Sequence, residues 1–343
     1  MNEGIRIHHH PHPFTTESGH TFSELEIAYK TWGTLNEAAD NAVLVCHALT
    51  GHAAADEWFP GLFGAEGILD PTRQFIVCSN VLGSCYGTTG PRTGRVRGGD
   101  FPVVTIRDMV RVEQILLDAL GVTSIELAIG GSMGGMQVLE WSVMDTRVQT
   151  MMLIAMGKAH SAWAIAIGEA QRQAIYADRC WLDGHYAPDA PPATGLSAAR
   201  QMGMVFYRSA SSFEDRFGRQ PQSGSHDLLK VQSYLNYQGR KLVDRFDAVT
   251  YVRLTQAMDS HDVSRGRGSF DEVLGRITIP ALVLGISSDV LYWPSEQKEL
   301  ARLLGNGTYL ELTSDEGHDA FLIEFPKMVE AYRHFEHLIH SQK

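Results

Sequence analysis

A serine between glycines, Gly130-Gly131-Ser132-Met133-Gly134, is the segment of this chain best suited to covalent chemistry. A bare G-x-S-x-G pentapeptide is a weak signal, but its context strengthens it. An apolar run, Ser124 to Ile129, leads directly into it, and a helical pattern, Met136 to Val143, leads directly out. Strand, serine, helix is a nucleophile elbow: a sharp turn holds the serine in a strained conformation, and flanking glycines leave room for neighbouring elements. The turn also aims backbone N–H groups, at the positive end of the helix dipole, toward the reacting oxygen. A serine hydroxyl needs a base, and the base needs an orienting carboxylate. In chains with an elbow serine the acid and then the histidine follow it. Asp289 stands just past the apolar run that starts at Ala281, and His318 follows the short run Tyr309 to Leu312. Ser132 as nucleophile, Asp289 as orienting acid and His318 as base are the candidate catalytic residues. Each alone has a plainer reading: an incidental serine in a glycine-rich turn, an N-capping aspartate, a loop histidine. All three in order, after three separate strand-like runs, make coincidence a poor account. The oxyanion hole needs a second donor from an earlier strand's exit loop. The backbone N–H groups of Met133 and of Leu49 (or Thr50), in Val43-Leu44-Val45-Cys46-His47-Ala48-Leu49-Thr50, are assigned to it. His47 and His52 rival His318 as base but stand in the wrong place in the chain order, so a structural role is expected of them.

The elements that must position these residues are legible as short apolar runs: Ala42 to Cys46, Phe75 to Cys78, Ile125 to Ile129, Met151 to Ala155 and Ala281 to Leu284. They are too short for helices, and runs apolar on both faces are expected of buried parallel strands. Leu25, Ile27 and Tyr29 alternate with polar neighbours, as in a half-buried strand. Arg107 to Leu120 carries apolar residues at helical spacing and stops at Gly121. Strands alternating with helices predict an α/β protein with a mostly parallel, doubly wound sheet, and the elbow makes it an α/β-hydrolase fold. The rhythm breaks over 158–270, which has no clear strand and is read as a mostly helical lid insertion. Residues 1–157 and 271–343 then form the core domain. His185 to Leu196, with Pro188, Pro191, Pro192 and Gly195, is expected to be a loop between lid helices. Pro326 to Ser341 is expected to be a closing helix.

The 343 residues are 44% hydrophobic and 20% charged, an ordinary globular balance with room for a large core. The net charge of −11 argues against a nucleic-acid surface, which needs clustered Lys and Arg. It leaves room for one small anionic ligand; Arg92, Arg95 and Arg97 would supply a local basic pocket or equally a solvated loop. No signal-like segment opens the chain, and no apolar run approaches the ~18 residues that span a bilayer. No membrane partner and a cytoplasmic location are therefore expected. Cys46, Cys78, Cys85 and Cys180 form no C-x-x-C pair and are expected to be buried, reduced thiols. His8, His9, His10 and His12 suit a metal tract on composition. With Pro11 and Pro13 interleaved and no Cys or carboxylate adjacent, an extended terminal arm is expected instead, and no metal site is assigned.

Beyond these residues the chain resembles the homoserine O-acetyltransferases of methionine biosynthesis, in the α/β-hydrolase superfamily, from about Tyr29 to Phe325. The motifs that carry the resemblance include His47-Ala48-Leu49-Thr50-Gly51, Asn80-Val81-Leu82-Gly83-Ser84-Cys85-Tyr86-Gly87, Gly130-Gly131-Ser132-Met133-Gly134-Gly135-Met136-Gln137, Arg245-Phe246-Asp247-Ala248 and Gly317-His318-Asp319-Ala320-Phe321-Leu322. The resemblance implies that Ser132, Asp289 and His318 are the triad. It implies that Arg200 holds the homoserine carboxylate, that Tyr207 stands near that arginine and that Asp319 holds the α-ammonium. By residue type alone Arg200 would be a solvated helix residue and Asp319 a loop acid. It further implies acetyl-CoA as co-substrate rather than a bound cofactor, and a homodimer. Related succinyl-transferring enzymes carry an arginine two places after the triad aspartate. Here Leu291 stands there and offers a second carboxylate no partner, which points to an acetyl donor. The implied chemistry is ping-pong acyl transfer. The alternatives are a succinyl donor or another amino-alcohol acceptor, an esterase or thioesterase with the same triad, and a binding protein on an inactive fold.

Overall fold

The computed structural model describes residues 4–224 and 227–341. Its strands are β1 (Arg6–His10), β2 (Phe14–Thr15), β3 (Thr21–Phe22), β4 (Leu25–Trp32), β5 (Ala42–Cys46), β6 (Phe75–Ser79), β7 (Ile125–Gly131), β8 (Met151–Ile154), β9 (Ala281–Ile286) and β10 (Gly307–Leu312). Its helices are α1 (Ala55–Trp58), α2 (Ile106–Ala119), α3 (Met133–Met144), α4 (Ala162–Tyr176), α5 (Ala193–Tyr207), α6 (Ala210–Phe217), α7 (Lys230–Val243), α8 (Ala248–Asp259), α9 (Phe270–Gly275), α10 (Pro294–Leu303) and α11 (Phe325–Ser341). The eight-stranded sheet runs β1-β4-β6-β5-β7-β8-β9-β10. β1 and β4 pair antiparallel, β4 meets β6 antiparallel, and every pairing from β6 to β10 is parallel. A small β2–β3 hairpin stands apart.

Each apolar run became a strand because both of its faces are covered. On β5, Val43 and Val45 join one buried cluster with Phe59 and with Met328 and Phe335 of α11. Ala42, Leu44 and Cys46 of the same strand join the other, with residues of α2, α3 and α10. Burying a Val or Leu contributes roughly 1.5–3 kcal/mol, so a run apolar on both sides is stable only in this sandwiched position. Helix α2 starts at a capping box in which Thr105 accepts from the Asp108 N–H and Asp108 accepts from the Thr105 N–H.

Between β8 and β9 the chain is helical from α4 to α8, with no strand of the main sheet. These helices share the sheet's apolar cluster through Ile167, Leu196, Ala199, Leu242, Tyr251 and Leu254. Two expectations need correcting and a third is sharpened. The loop expected to Leu196 ends earlier, because α5 begins at Ala193, directly after the two prolines. A proline needs no N–H partner and fits the first turn of a helix. The N-terminal arm is extended as expected and is also paired: His8, His9 and His10 face Ile27, Glu26 and Leu25 in an edge strand. Of the four thiols, all free, Cys46 and Cys78 are buried but Cys85 and Cys180 are only half-buried.

Candidate active site

Parallel pairing from β5 to β10 brings the carboxyl ends of these strands to one edge of the sheet, where ligand sites form in α/β folds. Leu49 follows β5, Ser132 follows β7, Asp289 follows β9 and His318 follows β10. The fold thus gathers the catalytic candidates at one edge.

Ser132 is the N-cap of α3 at φ 55°, ψ −125°, a conformation that costs a non-glycine residue about 1–3 kcal/mol. Its N–H donates to Ile154 O at 2.9 Å, which ties the turn to β8. The neighbouring glycines explain how the turn is held. A Cβ on Gly134 would stand 2.1 Å from Cys46 O, and one on Gly130 would stand 2.4 Å from the Gly134 backbone. The elbow therefore packs backbone to backbone against the end of β5. Helix α3 is almost wholly buried, with Val138, Leu139 and Trp141 at 0% exposure, as expected of a helix apolar all round.

Asp289 and His318 form the dyad. His318 Nδ1 donates to Asp289 Oδ2 at 2.8 Å. Asp289 Oδ1 accepts from the N–H groups of Leu291 (2.8 Å) and Tyr292 (3.0 Å), so the acid's orientation is fixed by its own loop. That loop is stitched to the histidine's loop: Ser288 Oγ donates to Ser314 O at 2.5 Å and accepts from Gly317 N–H at 3.0 Å. Burial alone would lower the basicity of His318, but the Asp289 carboxylate, by charge and hydrogen bond, and Asp319 together outweigh it and the net shift is upward. The imidazole lies among Tyr292 (5.4 Å between ring centroids), Phe321 (5.4 Å) and Tyr207 (5.9 Å). Phe321 also packs on the elbow, where a Cβ on Gly131 would meet its ring at 2.7 Å. Ser132 Oγ makes no hydrogen bond among the described residues; catalytic hydrogen bonds often tighten only with substrate in place.

The loop after β5, expected to carry the second oxyanion-hole donor, is pinned from two sides. His47 Nδ1 donates to Ala48 O at 2.8 Å and its Nε2 accepts from Val81 N–H at 3.2 Å. Burial lowers its pKa to about 4. His47 is thus a neutral brace with both nitrogens engaged, in line with the structural role expected of it. His52 Nδ1 likewise accepts from the Ala54 N–H. Two residues with no role assigned from sequence complete the site. Gln137 Nε2 donates to Met133 O (3.0 Å) and His47 O (3.3 Å), joining the two segments that carry the hole's donors. Arg245 Nη1 donates to Thr50 O (2.8 Å) and Tyr86 Oη (2.7 Å), clamping the loop from the helical side. The available signal for Gln137 was a polar residue one turn into an otherwise apolar helix. Arg245 stands in the Arg245-Phe246-Asp247-Ala248 motif of the resemblance, but no sequence signal assigned it a role, since its partners lie far away in the chain.

Arg200 stands on α5 with its guanidinium 5.4 Å from the Tyr207 ring centroid. Asp319 follows the base directly. Its carboxyl is pushed up by burial, against the pull of Arg200, His318 and Arg208. Arg208 is itself paired with Glu316. Among the described residues neither Arg200 nor Asp319 makes an ion pair or side-chain hydrogen bond. A half-buried cation and a half-buried anion, both left unpaired and felt by one another, suit a zwitterion with its carboxylate toward Arg200 and its ammonium toward Asp319. The Leu291 side chain is 5% exposed within the main apolar cluster and presents no charge.

A family model for the alpha/beta hydrolase fold matches residues 41–325. The chain is 54% identical over 323 residues to the "Homoserine O-acetyltransferase" of Chlorobium chlorochromatii, covering 92% of this chain and 90% of that one. Among solved structures, esterase E22 superposes with a TM-score of 0.86 at 24% identity, covering 96% and 99% of the two chains, a likeness of fold alone. The homoserine O-acetyltransferase of Staphylococcus aureus superposes with a TM-score of 0.80 at 28% identity, covering 96% and 95%.

Proposed function

This chain belongs to the homoserine O-acetyltransferase family of α/β hydrolases, and from that membership we propose that it moves an acetyl group from acetyl-CoA to the hydroxyl of L-homoserine, with Ser132 as the relay point. The observation that carries the reading is the pair of unpaired charges, Arg200 and Asp319, beside a triad-type dyad of Asp289 and His318. An esterase needs the dyad but has no use for both charges.

In this reading His318 Nε2 takes the Ser132 proton as Oγ attacks the thioester carbonyl. The N–H groups of Met133 and Leu49 receive the oxyanion, aimed there by the helix start and the braced loop after β5. The tetrahedral intermediate collapses, His318 gives its proton to the departing CoA sulfur so that CoA leaves as the thiol, and acetyl-Ser132 remains beside a neutral imidazole. Homoserine enters with its carboxylate on Arg200, beside Tyr207, and its ammonium on Asp319. His318 removes the hydroxyl proton as the oxygen attacks the acetyl carbon, then returns a proton to Ser132 Oγ as the ester departs. Asp289 keeps the imidazole in the tautomer that leaves Nε2 free to accept. The side chains do this work themselves, with acetyl-CoA as co-substrate. Leu291 favours an acetyl over a succinyl donor, since an apolar group gives a second carboxylate no partner. The helical segment from α4 to α8 serves as a lid over residues 158–270. The working form is proposed to be a cytoplasmic homodimer; no described helix is long and apolar enough to cross a membrane.

The test is intact-mass analysis after mixing with acetyl-CoA, followed by a matrix of acetyl- or succinyl-CoA against homoserine, serine and water. The expected result is an acetyl adduct on the wild type, none on Ser132→Ala, and fastest turnover with acetyl-CoA and homoserine. An undiminished adduct on Ser132→Ala would refute the mechanism, and faster turnover with succinyl-CoA would refute the role of Leu291.

A further inference from the structure

Behind the dyad lies a second buried array that the mechanism does not use. The Tyr292 hydroxyl and His160 Nδ1 are 3.0 Å apart. His160 Nε2 lies 3.9 Å from Asp259 Oδ1, and the other oxygen of Asp259 takes Arg172 Nη2 at 2.7 Å. Tyr292 is wholly buried and His160 nearly so. We propose that Tyr292 and His160 are a positioning pair for the catalytic base: His160 holds the Tyr292 ring against the face of His318 and fixes the loop whose amides hold Asp289. The proposal rests on the reading of Ser132, Asp289 and His318 as the catalytic set.

Three observations support it. First, one residue serves both members of the dyad, because the Tyr292 N–H donates to Asp289 while its ring lies 5.4 Å from the His318 ring. Second, among the described residues the hydroxyl end of that ring is tied down by His160 alone. The groups that act on His160 are its burial, His261 and Arg172, and together they lower its pKa to about 3. The imidazole is therefore neutral, with one accepting and one donating nitrogen. An Nε2–H facing the Asp259 carboxylate leaves Nδ1 to accept from the tyrosine. Third, His160 belongs to a rigid junction. Its N–H donates to His261 O at 2.8 Å, and His261 Nε2 donates to Gly157 O at 3.0 Å, joining the exits of β8 and α8. The pair thus links the helical segment, through Asp259 and His160, to the loop that carries the triad acid.

The experiment compares Tyr292→Phe, His160→Leu, the double variant and His160→Asn with the wild type. Each is checked for fold by circular dichroism, then assayed for the rate of Ser132 labelling by a fluorophosphonate and for kcat and KM of acetyl transfer. The expected result is that Tyr292→Phe and His160→Leu each lower the labelling rate and kcat about tenfold with KM nearly unchanged, as for a small misplacement of the base. The double variant should lose no more than either single one, because both cut the same link. His160→Asn, whose amide oxygen can accept in place of Nδ1, should recover most of the rate. Full-rate labelling by folded Tyr292→Phe, losses that multiply in the double variant, or a change in KM alone would each overturn the proposal. Wild-type protein that labels but does not acetylate homoserine would refute the substrate reading while the labelling rates still decide this one. Wild-type protein that does not label would refute the triad and this proposal with it.

Discussion

His318 owes its basicity to a contest between burial, which disfavours the imidazolium, and the carboxylates of Asp289 and Asp319, which favour it and together prevail. The base must be neutral to accept the serine proton, so kcat/KM should rise with pH through a midpoint above the ordinary 6.5 of histidine. In Asp289→Asn the larger carboxylate contribution is gone while burial and the smaller pull of Asp319 remain. The acid limb should therefore move to lower pH, and the plateau should fall by up to ~10⁴-fold as the tautomer is lost; a pH series of kcat/KM reads both. Asp319 acts at a different moment. Asp319→Asn should raise the KM for homoserine by ~10–100-fold, in proportion to a lost charge-assisted contact, and leave acetylation of Ser132 by acetyl-CoA unchanged. Stopped-flow acylation beside steady-state kinetics separates the two steps, and a slowed acylation would contradict the assignment.

At the scale of elements, the decisive contact is that of α3 with β5. The glycines of the elbow let the two backbones touch, and Gln137 fastens the contact with a pair of hydrogen bonds. A deeper fastening is Glu113 of α2, which accepts from Trp141 Nε1 of α3 at 2.6 Å and lies 3.9 Å from Cys46 Sγ of β5. The other groups that face it are Ser79 and Cys78 of β6, and no cation is among them. Burial raises the Glu113 carboxyl from 4.5 to about 7. A carboxyl with a raised folded-state pKa stabilises the fold below its unfolded value, and that stability is lost as pH rises toward 7. The loss is of order 3 kcal/mol for a shift of this size. Glu113→Gln keeps an acceptor for Trp141 without the charge. Its melting temperature should exceed that of the wild type at pH 8 and not at pH 5, by calorimetry at both values.

For the whole molecule, the helical segment is continuous with the sheet's core and leaves apolar side chains outside it. Met202 and Val205 on α5 and Tyr237 on α7 are 38%, 47% and 53% exposed, while Met204 beside them is buried. This splits the methionine-rich stretch between core and surface. Exposed apolar side chains on these two neighbouring helices suit the proposed homodimer. Light scattering behind size exclusion should give twice the 37.9 kDa chain mass, and Met202→Glu with Val205→Glu should return the single-chain mass. A wild-type monomer at micromolar concentration would count against it.

The strands, the elbow and the order serine, aspartate, histidine could be read from the chain because they are local. Two-faced burial writes short apolar runs, and a strained turn writes glycines around Ser132. The sheet strands of residues 42–46 and 125–131 were legible for that reason. Antiparallel addition of β1 was not, since an edge strand carries little apolar signal and the histidines there read as an arm. Arg200 and Asp319 look like surface charges in sequence. Only the tertiary structure sets them near each other, beside the base and without an ion-pair partner among the described residues, because the helices after β8 return to the sheet's carboxyl edge. Gln137, Arg245, Glu113, Tyr292 and His160 have the same origin. Each is a polar side chain whose partner is distant in the chain or hidden in the core, and the need to satisfy a buried donor or acceptor is decided by packing rather than by spacing.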